Sequence, residues 1–127
     1  MPSLPSAGAG DVRNVNVTNK AGAQSTTTIA VDPLDSRHLL VASNDLSGGT
    51  VTVRVYDSLD GGRTWTEDAN FRPLGLCYSP WVDFNANGDA FVTYNCFDQR
   101  IAYRLRGQTA WVYRTFANRG DPPTAAW

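Results

Sequence analysis

The sequence predicts an all-β fold, and three observations support that prediction. No stretch of the 127 residues shows helical periodicity. Short strand-like segments recur along the chain and are separated by turn residues, as is typical of all-β proteins. The chain also repeats itself, because residues 29–45 match residues 80–96 without a gap at a shift of 51 positions. Such a repeat indicates two copies of one β-unit.

The predicted strands are short segments of alternating or continuous apolar sequence. They cover about 12–18, 26–32, 38–44, 50–57, 65–70, 77–84, 89–96, 100–106 and 110–116. Several of them are apolar on both faces, for example at residues 38–42 and 90–92. Sheets that pack against neighbours on both sides have this pattern, and the blades of a β-propeller are such sheets.

The most specific local signal is the string Ser58-Leu59-Asp60-Gly61-Gly62-Arg63-Thr64-Trp65. The Asp60 carboxylate can accept hydrogen bonds from nearby backbone N–H groups, and the two glycines can supply positive φ angles. The two hydroxyl side chains add further hydrogen bonds, and Trp65 can lie across the turn. The string therefore predicts a rigid hairpin loop between two antiparallel strands.

This string resembles the Asp-box of the sialidase-like (BNR-repeat) β-propeller superfamily at all eight positions. In that family the box joins the third and fourth strands of a blade, on the rim far from the active site. A degenerate second box follows 46 residues later, where Trp111 matches Trp65 but Arg106 replaces Asp60 and Ala110 replaces Thr64. The resemblance implies two four-stranded antiparallel propeller blades plus flanking strands.

The repeat divides the chain into two blades and two flanking segments. Residues 24–70 are blade one with the Asp-box, and residues 75–118 are blade two with the degenerate box. Residues 1–23 are expected to hold the last strand of a preceding blade, and residues 119–127 the start of a third blade. Because a propeller closes with roughly four to eight blades, we expect further blades from the same chain or another one.

Composition excludes several functional classes. A formal net charge of −1 and the lack of a basic block argue against a nucleic-acid surface. No apolar run approaches the roughly 20 residues that a membrane-spanning helix needs. The only histidine, His38, has no serine or cysteine motif beside it, so a nucleophilic triad has no support.

The two cysteines, Cys77 and Cys96, are expected to face each other across a hairpin whose turn lies at residues 85–88. A disulfide is geometrically possible between such positions, and two buried free thiols are the alternative. A disulfide would imply an oxidising compartment. The sequence accordingly predicts a secreted protein, extracellular or periplasmic.

The resemblance also implies a catalytic set, most of which this sequence lacks. Sialidases clamp a carboxylate with an arginine triad, and they use a tyrosine nucleophile paired with a glutamate and a separate acid. The first-strand stretches here, residues 26–29 and 78–81, contain no arginine. Asp45 lies in the loop where the family keeps its acid, so it is the one catalytic candidate; a solvated loop aspartate is the alternative.

Two further groups of residues are candidate ligand sites. Tyr78 and Trp81 lie on the first strand of blade two and could stack on a sugar ring, although packing between blades is the alternative. Asp83, Asn85 and Asn87 resemble the first half of a calcium loop, although a tight hairpin turn explains the same residues. The sequence therefore predicts no cofactor, with calcium at this loop as the alternative.

These observations predict a non-catalytic part of a secreted sialidase-like β-propeller, acting as a scaffold or a carbohydrate-binding surface. One alternative is a portion of an exo-glycosidase whose active site is completed by missing or partner blades. Another is a fragment that assembles with copies of itself into a propeller.

Overall fold

The structure, a computed structural model, describes residues 14–115 and consists of strands, turns and loops. Its eight strands are β1 (Gln24–Asp32), β2 (Asp35–Asp45), β3 (Thr52–Ser58), β4 (Thr66–Glu67), β5 (Tyr78–Phe84), β6 (Ala90–Asn95), β7 (Gln99–Arg104) and β8 (Val112–Thr115). They form sheet one, in the order β1-β2-β3-β4, and sheet two, in the order β5-β6-β7-β8, and all neighbours are antiparallel. The predicted all-β class with two four-stranded antiparallel sheets is confirmed. Residues 14–115 include no helix long and apolar enough to cross a membrane.

The flanking segments are described only in part. Residues 14–18 belong to neither sheet, and the last strand of a preceding blade expected at 12–18 stays a prediction. The chain turns at the end of this segment, where Asn19 has a φ of 51° and donates its backbone N–H to the Asn16 side chain. The third-blade segment at residues 119–127 lies outside the described residues.

The core lies between one face of sheet one and one face of sheet two. Face A of sheet one is the set Ala30, Leu40, Ala42, Val53 and Val55. Face B of sheet two is the set Val82, Phe84, Ala90, Val92, Tyr94 and Ala102. Leu40, Val53, Val55 and Val92 are completely buried. Because burying one such side chain contributes about 1.5–3 kcal/mol, this contact is the main source of apolar stabilisation.

The pairing register shows which residues of the two sheets are equivalent. In β2, Leu39 pairs with Val31 and Ser58, and in β6, Ala90 pairs with Phe84 and Arg104. The third and fourth strands therefore correspond at the predicted shift of 46, but the first strands correspond at 53 rather than 51. The gapless alignment is wrong at the first strand, because the paired residues Phe84 and Ala90 are two positions closer in sequence than their equivalents Val31 and Leu39.

Given this equivalence, the two sheets stack head to tail: one type of face in sheet one covers the opposite type of face in sheet two. Val55 of face A corresponds to Ile101, which lies on the opposite face of sheet two from the core. Face A of sheet two, pointing away from sheet one, includes Tyr78, Trp81, Asp83, Phe91, Thr93, Asn95, Ile101 and Tyr103. Face B of sheet one, pointing away from sheet two, includes Ile29, Val31, Leu39, Val41 and Tyr56. Each sheet thus presents the same two kinds of face in the same order.

A bulge interrupts the first strand of each sheet at equivalent positions. Thr26 and Ser79 adopt positive φ angles of 52° and 56°, which are rare for residues with a Cβ. Asn44 joins the two bulges: its amide donates to the Ser25 and Thr26 hydroxyls, and its Oδ1 accepts a 2.8 Å hydrogen bond from the Ser79 N–H. One buried amide therefore fixes how the two first strands lie against each other.

The loop between the sheets closes the core at one end. A turn from Asp68 to Phe71, closed by a 3.2 Å backbone hydrogen bond, ends β4 after two residues. It places the completely buried Phe71 ring edge-to-face against Tyr94 and Trp111. The strand predicted over 65–70 is short because the chain must leave the sheet to make this contact.

Cys77 and Cys96 form a disulfide that joins the start of β5 to the end of β6. Of the two alternatives that the sequence left open, the structure contains the bridge. Next to it Tyr78 pairs with Asn95, so the bridge continues the ladder of the hairpin. Such bonds are typical of an oxidising environment.

Removing the disulfide should lower the free energy of unfolding, because the bridge restricts the unfolded chain. For a loop of this size, 19 residues apart in sequence, we expect a loss of about 3 kcal/mol. Urea unfolding of the double variant Cys77→Ala/Cys96→Ala measures it. Reductant should destabilise the wild type to a similar extent and leave the variant unchanged; equal stability of oxidised and reduced wild type would contradict the prediction.

Candidate functional site

Six ionisable side chains form a continuous hydrogen-bonded chain across one end of the contact between the sheets. We call this group the charge network; its members, in order of contact, are Arg106, Asp32, His38, Asp57, Arg104 and Asp68. Sheet one and the turn after it contribute the three aspartates and the histidine, and sheet two and its last hairpin contribute the two arginines.

His38 is held between two carboxylates on sheet one. Its Nδ1 lies 3.0 Å from Asp32 Oδ2, and its Nε2 lies 2.8 Å from Asp57 Oδ1. Because a carboxylate only accepts, this geometry is satisfied fully when both ring nitrogens carry a proton. The hydrogen bond to Asp57 raises the pKa of His38 above its ordinary value, despite partial burial. The ring also contacts Phe84 of sheet two edge-on, with centroids 5.3 Å apart.

Arg104 carries the network from sheet two to sheet one. Its guanidinium binds Asp57 through two hydrogen bonds of 2.8 and 3.0 Å, and it donates a third, of 2.6 Å, to Asp68. Trp111 lies under the guanidinium, 5.0 Å from the ring centroid, and its Nε1 donates to the same Asp68. Burial opposes the charge of Arg104, but the hydrogen bonds and charge of Asp57 raise its pKa above the ordinary value.

Arg106 completes the network at its other end. Its Nη1 donates to both carboxylate oxygens of Asp32, at 3.2 and 3.0 Å. Burial would raise the pKa of Asp32, but the Leu34 N–H, His38 and Arg106 together hold it below the ordinary value. Three acidic groups therefore face three basic ones, and the buried charges compensate one another.

The charge network lines an open cleft of about 740 Å³ between the box loop and the hairpin at residues 105–109. Leu59, Leu105 and Gln108 form part of its rim. The carboxylates of Asp32 and Asp57 and both nitrogens of His38 already have partners inside the network. This arrangement suits a clamp between sheets better than acid–base catalysis, which needs a group free to exchange protons with a substrate.

The Asp-box adopts the predicted hairpin loop, with Gly61 and Gly62 at φ angles of 73° and 95°. Asp60 accepts hydrogen bonds from the Ser58 hydroxyl and from both the N–H and hydroxyl of Thr64. These bonds lower the pKa of Asp60 to about 2. Trp65 closes the loop by donating from Nε1 to the Gly62 carbonyl at 3.0 Å. The box residues Ser58, Asp60, Gly62, Thr64 and Trp65 therefore all form hydrogen bonds within the loop.

The degenerate box uses the equivalent positions differently. Arg104, Arg106 and Trp111 correspond to Ser58, Asp60 and Trp65 of the first copy at the shift of 46. All three reach across to sheet one instead of bonding within their own loop. The second copy has thus exchanged an internally bonded loop for a clamp on its neighbour.

Asp45, the catalytic candidate, is held at the end of β2. Its carboxylate accepts hydrogen bonds from the Ser47 N–H and hydroxyl, and it lies 3.7 Å from Arg54 Nε and 3.9 Å from Lys20 Nζ. Burial opposes ionisation, but the Ser47 bonds and these cations lower the pKa of Asp45 below its ordinary value. A general acid needs a raised pKa, so this geometry favours a structural role.

The two aromatic candidates share one face of sheet two. Tyr78 and Trp81 are three residues apart, but the bulge at Ser79 turns both onto face A. Trp81 is 64 % exposed and Tyr78 is half-buried. The structure therefore brings them onto a common surface, at the edge strand of the sheet.

The calcium candidates use their polar atoms within their own turn. Asn85 Oδ1 accepts from the N–H groups of Asn87 and Asp89, and Asp83 accepts from the Phe84 N–H. This is the tight-turn alternative. Over the described range 14–115, no three or more His, Cys, Asp or Glu side chains cluster in a way that could hold a metal ion.

Sequence reasoning missed the charge network, although one signal was present. In β3 the inward positions are Val53, Val55 and Asp57, and in β7 they include Ala102 and Arg104. Opposite charges at core-facing positions of two strands favour a buried pair. What the sequence could not give is that these two strands face each other.

No protein-family model matches the chain, and no curated protein matches it. The resemblance to sialidase-like propellers therefore depends on the box and on the internal repeat.

The contribution of His38 to stability should decline as the pH rises. Its folded pKa is raised, so its stabilisation is complete below the unfolded value of about 6.5 and is lost as the pH increases through the folded pKa. We expect the difference in unfolding free energy between wild type and His38→Gln to shrink from pH 6 to pH 9, measured by urea unfolding. A difference independent of pH would show that the charged form of His38 has no such role.

Replacing Arg104 by methionine should cost about 3 kcal/mol, because the buried Asp68 would lose its cation and Asp57 would keep only His38. Arg37→Met is the matched control: Arg37 is 75 % exposed and pairs only with Asp35, so its loss should change stability by less than about 0.5 kcal/mol. Chemical unfolding of both variants provides the measurement. Equal effects of the two substitutions would contradict the clamp.

Proposed function

We propose that the chain is a non-catalytic scaffold, consisting of two successive blades of a sialidase-like β-propeller in a secreted protein. The head-to-tail stacking of the two sheets is the observation that carries this proposal. A propeller needs each blade to offer one face to the preceding blade and the other face to the next. The complete Asp-box supports the same reading, and the disulfide supports an oxidising, extracytoplasmic location.

The site geometry supports a non-catalytic role over that of a partial exo-glycosidase. The ionised Asp45 accepts hydrogen bonds from Ser47 and lies near two cations, Lys20 and Arg54. In the charge network, the acidic and basic side chains neutralise one another. Within residues 14–115, the one histidine is bound on both nitrogens, and no arginine lies on β1 or β5. The bonds of Asp45 and His38 therefore stabilise the sheets and loops around them.

Carbohydrate binding is the second candidate, and one observation favours it. The bulge at Ser79 brings Tyr78 and the exposed Trp81 to the same side of β5. A flat aromatic surface of this kind can stack on the apolar face of a sugar ring.

The scaffold proposal requires that the two sheets stabilise each other, which native-state hydrogen exchange can measure. Leu40→Ala removes a core side chain of sheet one and should cost about 3 kcal/mol. We expect amides of β6 and β7 in sheet two to lose protection by the same free energy. The control Ile29→Ala changes a 60 % exposed residue of sheet one and should alter neither sheet. If sheet two kept its protection in Leu40→Ala, the sheets would be independent and the proposal would fail.

Two further readings distinguish the competing functions in the same preparation. Hydrolysis of a fluorogenic sialoside by the chain alone would contradict the non-catalytic proposal. A shift of the Trp81 indole N–H signal on titration with sialyllactose would favour the carbohydrate-binding candidate, with Trp111, which is buried, as the internal reference.

A further inference from the structure

We propose that face A of sheet two binds face B of sheet one on a second copy of this chain, head to tail. The inference depends on the proposed scaffold function and adds its partner. Its template is the contact inside the molecule, where face A of sheet one already covers face B of sheet two. The two outward faces are the equivalents of those two buried ones, so a second copy offers each of them the type of surface it matches.

The exposed residues of the outward faces occupy core positions in the internal contact. On face A of sheet two, Phe91 and Thr93 are the equivalents of Leu40 and Ala42, both completely buried. Thr93 is exposed, and Trp81 beside it is 64 % exposed. Trp81 and the half-buried Phe91 therefore leave apolar surface exposed on this face, where the equivalents of Phe91 and Thr93 in sheet one are buried.

Face B of sheet one also exposes apolar side chains at positions whose equivalents in sheet two belong to the core or pack against it. Ile29 and Val31 are 60 % and 54 % exposed. Their equivalents in sheet two are Val82, which is 3 % exposed, and Phe84, which packs on the core. Ile29 and Val31, both on β1, therefore have the apolar character of an interface without a cover, whereas Val41 and Tyr56 of the same face are already buried in the single chain.

An amide on the outward face repeats the bridge between the bulges. Asn95 is the equivalent of Asn44, whose Oδ1 binds the Ser79 N–H of the neighbouring sheet. The side chain of Asn95 makes no hydrogen bond to any residue in the part of the chain from 14 to 115. In the docked pair its Oδ1 accepts from the backbone N–H of Thr26 of the partner subunit, the equivalent of Ser79.

The contact between copies lacks the ion pairs of the internal one. Asp57 and Arg104 are replaced at the equivalent positions by Tyr103 and Ser58. The association therefore depends on apolar contact and on the Asn95 bridge, and it is weaker than the internal contact. Because the interface is heterologous, copies add in one direction until a ring closes.

Sedimentation velocity over a concentration series tests the proposal with two complementary variants. Thr93→Arg blocks face A of sheet two, and Ile29→Arg blocks face B of sheet one; both residues are exposed, so each variant should fold. Gln108→Arg adds the same charge on the exposed hairpin loop outside both faces and is the control. We expect wild type and control to assemble and each blocked variant to be monomeric.

Mixing the two blocked variants gives the decisive result. Each retains the face that the other has lost, so an equimolar mixture should form a one-to-one dimer and nothing larger. Monomers in the mixture, or assembly of either variant alone, would overturn the head-to-tail contact. A wild type that is monomeric at every concentration would also overturn it.

Two controls distinguish a failed association from misfolding of a variant and from failure of the scaffold function. If a blocked variant has an amide spectrum unlike that of wild type, Trp81→Ser and Val31→Ser replace the pair, because both residues are more than half exposed. The hydrogen-exchange coupling between sheets is measured on monomeric chain. A failed association with intact coupling therefore rejects this inference alone, whereas lost coupling rejects the scaffold function.

Discussion

The apolar contact between face A of sheet one and face B of sheet two determines the position of almost every other feature. A four-stranded sheet with one apolar face must cover that face to be stable in water. In this chain the cover is the second copy of the repeat, and the loop carrying Phe71 seals one end. Asn44 and the charge network lie at opposite ends of the same contact, so the polar bonds fix an orientation that burial of apolar surface favours.

Local pattern was sufficient for most strands and for the first box, because these depend on neighbouring residues. The predicted facing of Cys77 and Cys96 is right because two errors in the predicted hairpin register cancel each other. The hairpin loop is one residue longer than the sequence indicated, since Phe84 pairs with Ala90. The bulge at Ser79 then removes one residue from the ladder and restores the register at Tyr78 and Asn95. Bulges have no reliable sequence signature, so both changes were invisible.

The candidate site was much less predictable than the fold. Its contacts between the two halves of the repeat join residues 36 to 74 positions apart, such as Arg104 with Asp68 and Arg106 with Asp32. A repeat alignment compares each residue of the degenerate box with the equivalent residue of the first box, so it shows only that the hydrogen-bonding residues of the first box are missing. The gain at Arg104, Arg106 and Trp111 is visible only when the two sheets are placed together. Asp45 was misleading for a related reason, since its Ser47 partner is local but its two cations come from separate segments.

The difference between the two box loops gives the folding of this chain a direction. The first loop is closed by bonds spanning two to four residues, from Ser58 to Asp60 and from Asp60 to Thr64. Such short-range contacts can form early, before distant segments meet. In the equivalent loop of sheet two, the side chains of Arg106 and Trp111 bind partners that sheet one and the turn after it supply. We therefore expect the box loop of sheet one to form early, and the rim of sheet two to become fully ordered only when the two sheets meet. During synthesis from the N-terminus, the half whose box loop bonds to itself emerges first, and both sheets become stable once their apolar faces cover each other.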